Sequence, residues 1–280
     1  MIDRKSAAEA FNAYTAGYDH RDSMILHKIV HTYRVAANCE RIAGSLGKSS
    51  DHVNFAWFLG LLHDIGRFEQ VRRYGTFLDS VSVDHAEFGA DLLFRDDLLS
   101  SFPVQNLSKE WIELLETAIR LHNKLTLPED LDERTRCFCD LIRDADKVDI
   151  FRVVAELPFE ERIGTSKGLI EEGDEASDEV MECVYGHRCV PRDIRRNRFE
   201  GQISHCCLAF ELVYPESRKM ALEQGYLISL LAEEDEEGRP LWNERGREQL
   251  RILRNEIEET LGGKSHDSGI VRRRGDGPGI

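Results

Sequence analysis

Apolar residues recur along this chain at helical rather than strand spacing. Residues 4 to 18 place Ala7, Ala8, Phe11 and Tyr14 on one face. A longer stretch, from about Asp22 to Leu46, keeps Ile25, Ile29, Val35, Ala36, Cys39 and Ile42 in helical register until Gly47 stops it. Ser49, Ser50 and Asp51 offer N-caps to a third helix. Its apolar run, Phe55 to Leu62, closes on His63-Asp64, and Gly66 reads as its end. Arg67 to Val83 reads as a loop or broken helix, with Arg67, Arg72 and Arg73 early in it. Asp84-His85-Ala86-Glu87 opens the next helix as a capping box. Ser108 opens another, with Trp111, Leu114, Leu115, Ala118 and Leu121 inside and His122-Asn123-Lys124 at its end. Glu133 to Glu156 is a long helix broken by Pro158. No stretch alternates with period two for long enough to count as a strand, so the expected fold is all-α.

Beyond Pro158 the character changes. Residues 160 to 200 are polar and mixed, with Glu171, Glu172, Asp174 and Glu175 in one cluster and Arg192, Arg195, Arg196 and Arg198 in another. A charge run of this kind is usually a solvated face; lining a pocket is the alternative for these arginines. Helical pattern returns over about 201–214, 216–231 and 243–261. The expected organisation is a helical bundle over 1–157, a helical extension packing on it over 158–262, and a disordered tail over 263–280 that is Gly-rich and polar.

Composition narrows the partners. Fifty-two acidic against 37 basic residues give a formal net charge of −15, which argues against a nucleic-acid polymer as ligand, since that needs a basic face. A small anionic compound is still compatible if cations are concentrated locally. The seven cysteines are odd in number and contain no C-x-x-C pair, so they read as reduced thiols in a cytoplasmic protein. Neither a signal peptide nor a membrane span is expected, and self-association is left open.

Candidate chemistry starts at His63-Asp64. Two ionisable side chains at the end of an apolar run are costly to bury unpaired, and a metal ion removes the cost by taking neutral imidazole and ionised carboxylate as ligands. Adjacent helical residues point about 100 degrees apart, so both can reach one ion only near a helix end. His31 lies beside the apolar stripe of its helix. Asp146 interrupts a stripe formed with Ile142 and Val153, while Asp140 and Asp144 lie on a more polar side. Taken singly, His85 could be part of a cap and His122 a helix-end charge. Asp149 reads as a supporting polar residue, and His27, one turn before His31, as a weaker ligand candidate.

Order and context together resemble a known family. His31-Thr32-Tyr33-Arg34, then Leu62-His63-Asp64-Ile65-Gly66, then Ala145-Asp146-Lys147, is similar to the H…HD…D signature of the HD-domain metal-dependent phosphohydrolases, over roughly residues 20 to 156. Asp84-His85-Ala86 and Leu121-His122-Asn123 resemble the extra histidines of its dinuclear subgroup. The HD-GYP phosphodiesterases belong to that subgroup, but the chain has no GYP motif, and Arg67 stands where many relatives carry lysine.

The resemblance implies one metal on His31, His63, Asp64 and Asp146 and a second on His85 and His122, with Asp64 bridging. It implies divalent ions drawn from Mn, Fe, Mg, Co, Ni or Zn. It also implies a hydrolase (phosphomonoesterase or phosphodiesterase) that activates water against a small phosphorylated compound or nucleotide. Asp64 and Arg67 are then the catalytic candidates, and Arg67, Lys124 and Lys147 the substrate-binding ones. The same ligands also suit a mixed-valent di-iron oxygenase, and a non-catalytic nucleotide-sensing module is a third reading.

Overall fold

The computed structural model describes residues 2–157, 173–235 and 237–262. The fold is all-α, with no strand among the described residues beyond an isolated bridge between Glu234 and Pro240. Pro158, Glu171, Glu172 and the tail 263–280 lie outside the described residues.

The helices of the first part are α1 Arg4–Thr15, α2 Ser23–Ser45, α3 Ser50–Leu62, α4 Ile65–Tyr74, α5 His85–Phe94, α6 Lys109–Leu121 and α7 Glu133–Glu156. Asp3, Asp22, Ser49, Asp84 and Asp132 cap α1, α2, α3, α5 and α7, each side chain accepting from backbone N–H groups of the first turn. The core of this part is α2 packed between α3 and α7, with α6 against α7 and α5 bridging α4 and α6. Fully buried Phe11, Phe58, Phe68, Phe102, Phe138 and Phe151 fill the spaces between them.

The stretch expected as a loop after Gly66 is instead the helix α4. Its apolar positions Ile65, Phe68 and Val71 are buried, and Phe68 meets Phe11 edge-on at 5.8 Å between ring centres. Charged residues dominate the other face of α4, which masked the short apolar stripe in the sequence. Gly66 therefore does not end α3. It sits in the first turn of α4, where a Cβ would lie 2.6 Å from Gly89 N and His85 O, so glycine is needed for α4 to touch α5. Gly60 does the same for α3 on α2, where a Cβ would lie 2.7 Å from Ala36 Cα. Gly75, at φ +64, ends α4.

In the second part the helices are α8 Asp178–Tyr185, α9 Arg198–Cys207, α10 Pro215–Glu223, α11 Tyr226–Leu230 and α12 Glu244–Gly262. The helix expected over 216–231 is two, broken at Gly225, whose φ is +73. The one expected over 201–214 begins three residues earlier and ends in a 3-10 turn, Leu208–Glu211. Helices α9, α10 and α11 pack on α7. Asp144, fully buried, accepts hydrogen bonds from Val213 N (3.0 Å) and Tyr214 N (2.9 Å). A carboxylate two residues from Asp146 thus anchors the second part to the first.

Candidate metal centre

His63 is the C-cap of α3, and Asp64 leaves helical geometry (φ −106, ψ 19) before α4 begins. The break re-aims one side chain relative to its neighbour, which is how two adjacent residues reach one place. His31 arrives from the middle of α2, Asp146 from the middle of α7, His85 from the first turn of α5 and His122 from the C-cap of α6. The structure brings all six together.

The geometry divides about Asp64. Its Oδ2 lies 3.6 Å from His31 Nε2 and 3.5 Å from His63 Nε2. Asp146 Oδ1 closes that side, 3.1 Å from His31 Nε2 and 3.8 Å from His63 Nε2. The other oxygen, Oδ1, lies 3.4 Å from His85 Nε2 and 3.6 Å from His122 Nε2. One carboxylate therefore faces two groups of donors, one oxygen to each. The four histidines are nearly or fully buried, as is Asp64.

Each imidazole is held from behind through Nδ1. His31 Nδ1 meets Asp149 Oδ2 at 2.8 Å, and His85 Nδ1 meets Asp79 Oδ2 at 2.5 Å. His63 and His122 face backbone carbonyls, Gly60 O at 2.8 Å and Ile119 O at 2.7 Å. Such acceptors assign the ring proton to Nδ1 and leave lone pairs on all four Nε2 atoms. His85 Nε2 and His122 Nε2 then face each other at 3.0 Å, lone pair to lone pair. His31 Nε2, His63 Nε2 and Asp64 Oδ1 are buried without a hydrogen-bond partner. Orphaned acceptors converging in a buried place call for a cation. Histidine nitrogen and carboxylate oxygen in this number fit divalent first-row metals, and three overlapping His/Asp groups among these six residues have the spacing to hold an ion.

The electrostatics agree. Burial by itself would raise the Asp64 pKa, but Lys28 and His63 outweigh it and hold the carboxyl well below its ordinary value. Burial pushes His63 down to about 3 against the pull of Asp64 and Asp146, so it is the neutral imidazole a metal requires. His31 goes the other way: burial and Lys28 lower it, yet the neighbouring carboxylates of Asp146 and Asp149 raise it above the ordinary value. That corner attracts positive charge.

The remaining candidates are placed differently. Arg67 borders the cavity, but its Nη1 donates to Gln70 Oε1, Phe77 O and Asp79 Oδ1 at 2.7–2.8 Å. It steadies the Asp79 that holds His85, and its Nε, 3.6 Å from Asp64 Oδ1, is buried without a hydrogen-bond partner. Lys124 lines the cavity with its ammonium on Asp84 (2.7 Å), and Lys147 does so with its ammonium on Glu211 (3.1 Å). His27 also lines the cavity but joins none of the metal-competent groups. Asp149 takes the supporting place expected of it and is itself paired to Arg34 and Arg152.

Two residues went unnoticed in the sequence. Lys28 puts Nζ 2.5 Å from Asp64 Oδ2; it precedes His31 by three positions on the same helix face, a spacing that could have found it. Asp79 sits in the connection between α4 and α5, where no periodicity marks it.

With the geometry in hand, comparison with known proteins adds one finding. Residues 29–151, which contain all six candidate ligands, match the family model of the HD domain. That stretch is similar to the HD domain, the domain of the HD-domain metal-dependent phosphohydrolase superfamily. Searches of curated proteins and of solved structures returned no match. The seven cysteines are free, and no helix among the described residues is long and apolar enough to cross a membrane.

Proposed function

We propose that this protein is a metal-dependent phosphohydrolase that holds two divalent ions, one on each side of Asp64, and acts on a small phosphorylated compound or nucleotide. The observation that carries the reading is the convergence of four Nε2 lone pairs on the two oxygens of one buried carboxylate. Divalent ions bound there supply the charge that lowers the pKa of a coordinated water and polarises a phosphoryl group.

The chain's own residues do the rest. Asp149, Asp79 and the carbonyls of Gly60 and Ile119 fix each ring and its tautomer. Lys28, beside Phe77 and the centre, supplies a flexible cation for a phosphoryl oxygen. Arg67 acts through Asp79 as a positioning residue and offers Nε to the site. The cavity next to the centre, about 870 Å³, is of a size for a nucleotide-scale ligand and too confined for a folded polymer.

The test pairs elemental analysis with turnover. Purified protein should hold about two equivalents of metal per chain and hydrolyse members of a phosphate-ester panel, and Asp64→Ala should lose both properties. Phosphatase activity that persists in metal-stripped protein would overturn the proposal. Bound iron with oxygen consumption and no phosphate release would transfer the same ligands to oxygenase chemistry.

A further inference from the structure

The cavity beside the metal centre has a second wall. Its lining joins His31, Asp64, His85, His122 and Asp146 to residues of the second part, among them Arg192, Arg195 and His205. The arginine run in the sequence divides between these surroundings. Arg196 pairs with Glu179 at 3.4 Å, and Arg198 pairs with Asp174 at 2.6 Å beside the Trp242 ring. Those two are the solvated face a charge run usually makes. Arg192 and Arg195 border the cavity instead, and among the described residues neither has a carboxylate within ion-pair distance.

Arg192 is exposed at the rim, and Arg195 is half-buried. A 3-10 turn, Arg192–Ile194, sets them side by side, and Arg195 Nε donates to Pro191 O at 3.3 Å. Burial, reinforced by Arg192, lowers the Arg195 pKa, with Asp193 opposing weakly. Burial and the same two arginines push His205 down to about 4, so its ring is neutral. The neighbouring cations Arg143 and Lys147 are already shared with Glu211. Two guanidinium groups thus stand without an acid, one of them half out of water, on a protein whose formal net charge is −15. Desolvating a guanidinium without a partner is unfavourable, and its planar fork suits a carboxylate or phosphate. Ile150, Val153, Val190 and Leu208 contribute apolar lining to the same cavity.

We infer that Arg192 and Arg195 form a second anion subsite, so that the substrate carries two anionic groups, one at the metal centre and one at these arginines, joined by an apolar body. The inference rests on the proposed phosphate-binding role of the metal centre. It makes the second part of the chain the specificity element, with α9 and the turn before it selecting the substrate.

The probe is a series of alkylphosphonates of increasing length, set against ω-carboxy and ω-phosphono counterparts of the same length, with binding to metal-loaded protein measured by calorimetry. One length should bind at least about tenfold more tightly with the second anion than without it, as expected for a charge-assisted pair. The two end groups report whether the second anion is a carboxylate or a phosphate. R192Q/R195Q should abolish that preference while leaving metal content and plain alkylphosphonate affinity unchanged. R192Q alone, at an exposed position, should halve the preference or more and guards against a folding defect. No preference at any length, or one that survives in R192Q/R195Q, overturns the inference and leaves the metal-site reading intact. Plain alkylphosphonate binding that is indifferent to Asp64→Ala overturns the metal-site reading, and this inference with it.

Discussion

The two halves of the centre share Asp64 but are built differently. His31 and Asp146 come from the middles of α2 and α7 in the packed core, and His63 from the buried end of α3 against them. Their support is deep: Asp149 is fully buried and tied to Arg34 at 2.7 Å and Arg152 at 2.8 Å. His85 and His122 come from a helix start and a helix end. Asp79, behind His85, is a quarter exposed and depends on Arg67 and Gln70 reaching out of α4. Helix ends and connections open more easily than core helices. The proposed two-ion reading therefore predicts that the first half is the tighter site and the second the more labile one.

The hardest way to break this comparison is to delete a ligand from each half. His31→Ala should abolish binding in the first half and, through loss of the tighter ion, most activity. His122→Ala should leave about one equivalent of metal per chain. Chelator titration with elemental analysis reads both, and equal losses in the two variants would mean that the halves do not differ as described.

A smaller effect probes the supports. Asp79→Asn should weaken metal affinity in the second half by roughly 10–100-fold, the usual cost of removing a carboxylate behind a ligating histidine. Asp149→Asn should weaken the first half instead, and because Asp149 also neutralises Arg34 and Arg152, it should lower the melting temperature as well. Competition with a fluorescent chelator and a thermal melt separate these outcomes. Asp79→Asn acting mainly on the first half would show that the assignment of supports is wrong.

The smallest expected effect comes from Lys28. Its ammonium occupies Asp64 Oδ2, the oxygen that faces the first half. Removing that competitor in Lys28→Met should tighten metal binding there by about tenfold, the low end of what one hydrogen bond to a charged group contributes, while weakening phosphonate binding. Unchanged metal affinity would mean that Lys28 moves aside without cost.

His31, His63-Asp64 and Asp146 were legible because they lie beside, at the end of and within an apolar stripe respectively, and an ionisable residue in such a place needs a partner. His85 and His122, which cap and helix-end electrostatics could explain singly, stood out only through their order and context. The supports were legible only where they share a helix with a recognised element, as Asp149 does on α7. Asp79 was not, because its role depends on the connection after α4 folding back under α5. The helix α4 was missed because its stripe is short and its other face is charged. Gly66 was misread for a related reason: a glycine near a helix end looks like a stop, and its close approach to Gly89 exists only between helices.

What the sequence determined alone is the all-α fold, the capped starts of α3 and α5, and His31, His63, Asp64 and Asp146 as metal-binding candidates, since periodicity and capping act over a few residues. Only the tertiary structure decided that Asp64 gives one oxygen to each pair of histidines, that Arg67 is held by Asp79, and that the arginine run splits, with Arg196 and Arg198 paired at the surface and Arg192 and Arg195 facing the cavity. Those outcomes depend on which groups meet across long sequence separations, and a charge's role is set by the partner it finds there.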